Sequence, residues 1–188
     1  SEPSAGSDAA SLSTRAVLSE DGSHYVLDGS KMWITSGDVA GVVLVMAKTN
    51  PDWGAKGISA FLVDPRAAGF SVGRHEAKMG LRGSATVSLS FEGVKVPVAD
   101  RLGPEGIGFK VAMTILNNGR FGLAAGCVGG AKRLLKLAAA YANERTQFGK
   151  KLRDFGLIKK KFATMALATY AAESMTYMTC GLLDRGDR

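Results

Sequence analysis

Thr86-Val87-Ser88-Leu89-Ser90-Phe91 and, shortly after it, Gly103-Pro104-Glu105-Gly106 decide how this chain folds. The first stretch alternates apolar and polar residues, which puts Val87, Leu89 and Phe91 on one face of a β-strand. The second is dense in turn formers, and beyond it the period changes. Ile107, Val111 and Ile115 recur at four-residue spacing, as they do along one face of a helix. The chain therefore divides into a β part, residues 1–103, and a helical part, residues 104–188.

Upstream of the alternating stretch the pattern is short strands and turns. Tyr25-Val26-Leu27 runs into Asp28-Gly29, a favourable hairpin turn, and Lys31-Met32-Trp33-Ile34-Thr35 follows. Val42 to Ala47 and Ile58 to Val63 are apolar runs bounded by turn residues, and Val94 to Val98 predicts a last short strand. With no helical stretch between them, these strands predict an antiparallel barrel or sandwich. Downstream, one helix is expected from Gly106 to about Asn143 and a second from about Asp154 to Leu183. Gly119, Gly122, Gly126, Gly129 and Gly130 each cost the first helix roughly 0.5–1 kcal/mol relative to alanine. Close helix packing is the expected offset, because Ala124, Ala125 and Cys127 keep the same stretch narrow. Ile158, Phe162, Met165, Thr169 and Ala172 form an apolar stripe on the second helix. Joined near Arg145–Gly149, the two helices predict an antiparallel pair, part of a larger α-helical bundle.

The net charge of +7 favours anionic partners such as a dinucleotide or a CoA ester. Arg-Gly repeats and aromatic–basic alternation are missing, so no nucleic-acid partner is expected. Cys127 and Cys180 match no metal spacing or redox pair and read as buried or half-buried side chains. His24 and His75 have no metal-like neighbours and read as surface or packing residues. No apolar run is long enough to span a bilayer. The chain opens without a methionine and stops soon after an apolar helix pattern, so both ends read as cut.

Four segments could carry chemistry. Ser1-Glu2-Pro3-Ser4-Ala5-Gly6-Ser7-Asp8 could offer hydroxyl and backbone donors to phosphate oxygens, or be a flexible polar terminus or helix cap. Trp33 and Thr35 share a strand face and could flank a planar ring while donating one hydrogen bond to it; sheet core plus an outward threonine is the other reading. Asn117-Asn118-Gly119-Arg120 puts a cation in an apolar helix, where it needs a crevice, a polar partner or an anionic ligand. Arg145-Thr146-Gln147-Phe148-Gly149 could pair with a pyrophosphate and cover a ring, or end a helix at Gly149 with Phe148 as anchor.

Taken in order, Ser1–Asp8, Lys31–Gly37 and Glu144–Gly149 resemble three signatures of the acyl-CoA dehydrogenase family. Gly108–Met113 and Ile115–Phe121 are most similar to its very-long-chain branch. The resemblance implies most of a middle β-domain, the first two helices of a C-terminal helical domain, and FAD between them. By the same resemblance Ser1, Ser7, Trp33, Thr35, Arg145, Gln147 and Phe148 contact FAD, with Trp33 against the isoalloxazine and Thr35 at its N5. Arg145, Gln147 and Phe148 would do so across a homodimer interface. Ser7, Asn117 and Arg120 would face substrate. Implied further are long-chain acyl-CoA as substrate, its oxidation to trans-2-enoyl-CoA, and electron-transfer flavoprotein as acceptor. A mitochondrial location, in the matrix or peripherally at the inner-membrane surface, is also implied by the resemblance. The family's glutamate base lies downstream of this chain, so no catalytic residue is expected here, and Glu144 and Glu173 are not candidates. An acyl-CoA oxidase, or a respiratory-complex assembly protein with the same fold, are the alternatives.

Overall fold

The computed structural model describes residues 1–186, in two units: Ser1–Thr114, and a second that begins at Ile115. The first unit is built on six strands, β1 (Arg15–Leu18), β2 (His24–Thr35), β3 (Val43–Lys48), β4 (Ile58–Val63), β5 (Phe70–His75) and β6 (Thr86–Pro97). They form one sheet in the order β4-β3-β1-β2-β6-β5. The expected antiparallel barrel or sandwich is corrected in two respects. The sheet is mixed, because β1 pairs parallel with β3 at Arg15 and Lys48. It also leaves β4 and β5 as its two edges, so no closure into a barrel is seen. The sheet nevertheless curls: β2 and β4 have two strands, β1 and β3, between them in the order, yet the rings of Tyr25 on β2 and Phe61 on β4 meet edge-on at 4.9 Å. Its concave face buries Leu27, Val45, Val63, Leu89 and Val94. Fully burying such side chains stabilises by about 1.5–3 kcal/mol each.

Two bulges shape the long strands. Asp28-Gly29 is no hairpin turn; β2 runs straight through it, with a register shift against β6 between Leu27 and Gly29. Opposite lies Gly93 at φ +64, whose N–H donates to Asp28 Oδ1 at 2.7 Å. A bulge needs the same permissive glycine that a turn does, which is why the dipeptide misleads. The inserted residue also switches which parity faces inward. Val87, Leu89 and Phe91 are buried before the bulge, Val94 and Val96 after it, so the expected separate strand from Val94 is the second half of β6. β1 and β5 carried no clear sequence signal, being short and largely exposed.

A buried ion pair ties the N-terminal loop to this sheet. Glu2, 5% exposed, accepts from the hydroxyls of Ser13 (2.7 Å) and Thr14 (2.6 Å), from both their backbone N–H groups, and from Lys31 Nζ at 2.6 Å. Lys31 Nζ also donates to the Met46 carbonyl at 2.7 Å. Burial alone would push the Glu2 carboxyl up, but these converging donors, led by Lys31, outweigh it and hold the group at about 2. Lys31 is pushed below its ordinary range, chiefly by burial, with Glu2 opposing. Loop and sheet are thereby one piece: Ala5 and Leu12 are buried against Ile58.

The second unit contains most of α1 (Gly108–Glu144), the two-stranded hairpin β7 (Thr146–Gln147) and β8 (Lys150–Lys151), and α2 (Gly156–Asp184). Lys132 Nζ and Glu173 Oε1, 2.6 Å apart, bridge the antiparallel helices. An apolar cleft between them is lined by Phe121, Val128, Ala131, Ala172, Met175 and Thr176. The stripe on α2 is half-buried at Ile158, Phe162, Thr169 and Ala172, but Met165 is exposed and no α2 residue is fully buried. The close packing expected around the α1 glycines is absent among the described residues: a Cβ at any of the five would meet nothing within 4 Å. Cys127, expected to be buried or half-buried, is exposed at the rim of the apolar cleft, while Cys180 is half-buried as expected.

Removing one partner of a buried pair strands the other, so Lys31→Met and Glu2→Gln should each cost about 3–5 kcal/mol in urea unfolding, and the double variant less than their sum. Glu2 is depressed on folding, so its contribution is complete above about pH 4.5 and is lost as pH falls towards about 2. Stability measured across that window should decline less steeply in Glu2→Gln. At Gly29, φ +145, a Cβ would lie 2.8 Å from Thr14 Cα, so Gly29→Ala should lower stability by about 1–3 kcal/mol.

Candidate functional site

Trp33 is the most unusual residue of the first unit. It is 57% exposed and sits at φ +61, a region that large side chains rarely adopt. The cause is a second irregularity in β2, where the register against β6 shifts between Lys31 and Ile34. Ile34 packs on the core, so Trp33 and Thr35 on either side of it are exposed, as a shared strand face predicts. Trp33 is therefore not sheet core. Ser36, at φ +57, closes the segment. Thr35 pairs with Thr86 through the backbone, and its hydroxyl has no hydrogen-bond partner among the described residues.

The Ser1 carbonyl accepts from the Met32 N–H at 2.9 Å, which brings the N-terminal loop beside the residue preceding Trp33. Two backbone bonds between Glu2 and Ala5 turn this loop, and Glu2 locks it in place. It is a fixed loop, not a flexible terminus. Ser7 is exposed on it, ahead of the 3-10 turn Ala9–Ser11, and makes no hydrogen bond to Trp33 or Thr35. A standing indole edge, an unpartnered hydroxyl and a fixed loop of small residues suit a flat aromatic ligand that carries hydrogen-bond acceptors.

Asn117 and Arg120, one helical turn apart on α1, are joined by a 2.5 Å hydrogen bond from Arg120 Nη1 to Asn117 Oδ1. Both are exposed, so the guanidinium has a polar partner and keeps most of its donors free for an anion. Arg145, Gln147 and Phe148 fall on the β7–β8 hairpin. Gln147 opposes Lys150, leaving Phe148-Gly149 as a two-residue loop with φ +50 and +74. Such values are those of the tight hairpin turn whose twist matches its strands. The alternative of a helix cap with Phe148 as anchor is overturned: α1 ends at Glu144, and Phe148 is 92% exposed. The Gln147 amide donates to the Thr146 carbonyl at 2.8 Å, and Arg145 makes no ion pair among the described residues. A presented phenyl ring beside an unengaged guanidinium fits an aromatic, anionic ligand or a partner surface.

Glu2, Thr14 and Lys31 escaped sequence reading, since a buried charge inside a polar loop has no local signature. The pairing of Asp38 with His75 was equally hidden. Among the described residues no cluster of three metal-ligating side chains exists, and no helix is long and apolar enough to cross a membrane.

Residues 1–94 match the acyl-CoA dehydrogenase middle domain and residues 106–188 the acyl-CoA dehydrogenase C-terminal domain. The human very long-chain specific acyl-CoA dehydrogenase is 47% identical over 98% of this chain and 29% of its own length. The rat short/branched chain specific enzyme is 44% identical over 99% of this chain and 43% of its own length. The crystal structure of an acyl-CoA dehydrogenase complexed with FAD from Bacillus anthracis superposes with a TM-score of 0.85 at 45% identity, covering 97% of this chain and 31% of that one. The chain thus spans less than half of each of these relatives, and their identities lie too close together to single out one branch. With a family model on either side of the strand-to-helix switch, this chain belongs to the acyl-CoA dehydrogenase family.

Proposed function

We propose that the protein carrying this chain is an FAD-dependent dehydrogenase of long-chain acyl-CoA, with Trp33 and Thr35 at the flavin. The supporting observation is the bulged end of β2, where an exposed indole at φ +61 stands beside an unpartnered hydroxyl and a locked loop. Family membership and the FAD-bound relative support the same cofactor. When bound, FAD supplies the redox centre that accepts hydride from the substrate. Trp33 covers ring surface, the Thr35 hydroxyl donates to the ring, and Ser1 and Ser7 offer polar groups from the loop. Arg145, Gln147 and Phe148 form a second contact set, used across a homodimer interface. Asn117 and Arg120 take the substrate side, together with Ser7, where a guanidinium suits the anionic CoA moiety.

The base that removes the alpha proton is a glutamate outside this chain. A placed carboxylate of this kind typically contributes 10²–10⁴-fold, so the 188 residues alone should turn over negligibly. The domain division at residues 103 and 104, the electron-transfer flavoprotein acceptor, membership of the very-long-chain branch and a mitochondrial location, in the matrix or at the inner-membrane surface, belong to the same proposal. The mammalian relatives support the mitochondrial part of this proposal, while other relatives are bacterial.

The test is anaerobic reduction of the full-length protein's flavin by palmitoyl-CoA, with and without electron-transfer flavoprotein. Thr35→Ala should weaken FAD retention about fivefold, the loss of one hydrogen bond. Trp33→Ala should weaken it about tenfold or more through lost ring contact. Wild-type flavin content in both variants would refute the assignment, and rapid peroxide release in air would redirect it towards an oxidase.

A further inference from the structure

We propose that Glu2 and Lys31 are positioning residues for FAD, their ion pair holding the Ser1–Ser7 loop and the Trp33–Thr35 segment together as one preorganised surface. This rests on the reading that Ser1, Ser7, Trp33 and Thr35 face the flavin, and adds what keeps them in place. Neither charged group belongs to that surface, since the Glu2 and Lys31 side chains are only 2% and 10% exposed. Among the described residues, every side-chain hydrogen bond that ties residues 1–8 to the strands or their approaches is made by Glu2. Ser13 and Thr14 hold its carboxylate just before β1, and Lys31 holds it to β2. Lys31 is also where regular pairing with β6 stops: it lies opposite Leu89, and pairing resumes only at Ile34 and Val87. Trp33 leaves the strand within that gap, at φ +61. In the same gap the Met32 N–H donates to the Ser1 carbonyl at 2.9 Å, so loop and indole segment meet beside the buried pair.

Stability alone gives no reason for charges at this place. A buried pair adds little over apolar side chains of similar size, and Ala5 and Leu12 already pack on Ile58. What the charges add is direction. A carboxylate that accepts from Ser13, Thr14 and Lys31 at once has one placement, and Lys31 is itself held by the Met46 carbonyl at 2.7 Å. The ammonium cannot swing away without giving up both bonds, and the loop cannot drift from β2 without leaving two charges buried alone. Placement of this kind is read in ligand affinity: a loop correctly set only about a tenth of the time binds about tenfold more weakly.

The experiment separates placement from stability in the full-length protein: the flavin-free form is titrated with FAD, and the same variants are unfolded in urea. Lys31→Met leaves the carboxylate alone, whereas Glu2→Gln/Lys31→Met leaves no charge alone but still lacks the tie to β2 and β3. The double variant should be more stable than Lys31→Met, yet bind FAD at least about tenfold more weakly than wild type. Its bound flavin should also show altered visible circular dichroism. Val63→Ala, a core variant away from the loop, should lower stability while leaving FAD affinity within about twofold and the dichroism unchanged. Should the Lys31 variants not fold, Glu2→Asp keeps both charges, shortens the tie by one methylene, and should weaken FAD binding at least about threefold. FAD affinity that recovers with stability in the double variant, or falls equally in Val63→Ala, overturns the proposal, as does wild-type affinity in Glu2→Asp. A wild-type protein that takes up no FAD, or FAD binding indifferent to Trp33→Ala, overturns the function and this inference with it.

Discussion

The Glu2 carboxylate, buried against Lys31 and the Ser13 and Thr14 donors, is the contact on which the first unit depends. Without it the opening loop would be eight polar or small residues with no reason to lie anywhere in particular. With it, one carboxylate joins the loop, the start of β1 and the middle of β2, and Lys31 extends the link to β3 through the Met46 carbonyl. Such a pair contributes little net stability over apolar packing but strongly disfavours alternatives in which either charge is left alone. It is thus better understood as a fixing of position than as a source of energy. The position it fixes is that of Ser1 beside Met32, next to the exposed indole.

The sheet adds the second constraint. A regular β2 would send alternate side chains to opposite faces from His24 to Thr35. Two irregularities prevent this, one at Asp28-Gly29 and one between Lys31 and Ile34. The first lets the long strands β2 and β6 bend together around the core; the second turns Trp33 out at φ +61 while Ile34 still packs inward. Backbone strain at a large aromatic persists only where surrounding contacts over-determine it. Here Lys31 is held by Glu2 on one side, and Thr35 and Ser36 by β6 on the other. Phe148 follows the same logic, being also held at positive φ, at the tip of a hairpin.

The helical unit presents a different balance. Its two helices are bridged by Lys132 and Glu173, yet Leu123, Leu134, Leu167, Tyr170 and Met178 stay largely exposed, and the α1 glycines from Gly119 to Gly130 face open space. The expectation of a larger bundle accords with this surface, and with the small share of each relative that the chain spans.

How much was legible in advance follows from the range of each interaction. Helix and strand periods are local, so both helices and the runs at Val43–Lys48 and Ile58–Val63 could be read within a residue or two. The ordered motifs likewise identified the family, because they record residue types at set spacings. Asp28-Gly29 could not be read correctly, since turn and bulge ask the same freedom of glycine and only the partner strand decides between them. Nor could the parallel pairing of β1 with β3, or the open edges at β4 and β5, which depend on how the whole sheet curls. The sequence by itself determined the two-part architecture, the positions of the aromatic, hydroxyl and guanidinium groups, and the family. Only the tertiary structure decided that Glu2 meets Lys31, that Asp38 meets His75, and that Trp33 stands outward, because each is set by contacts between segments far apart along the chain.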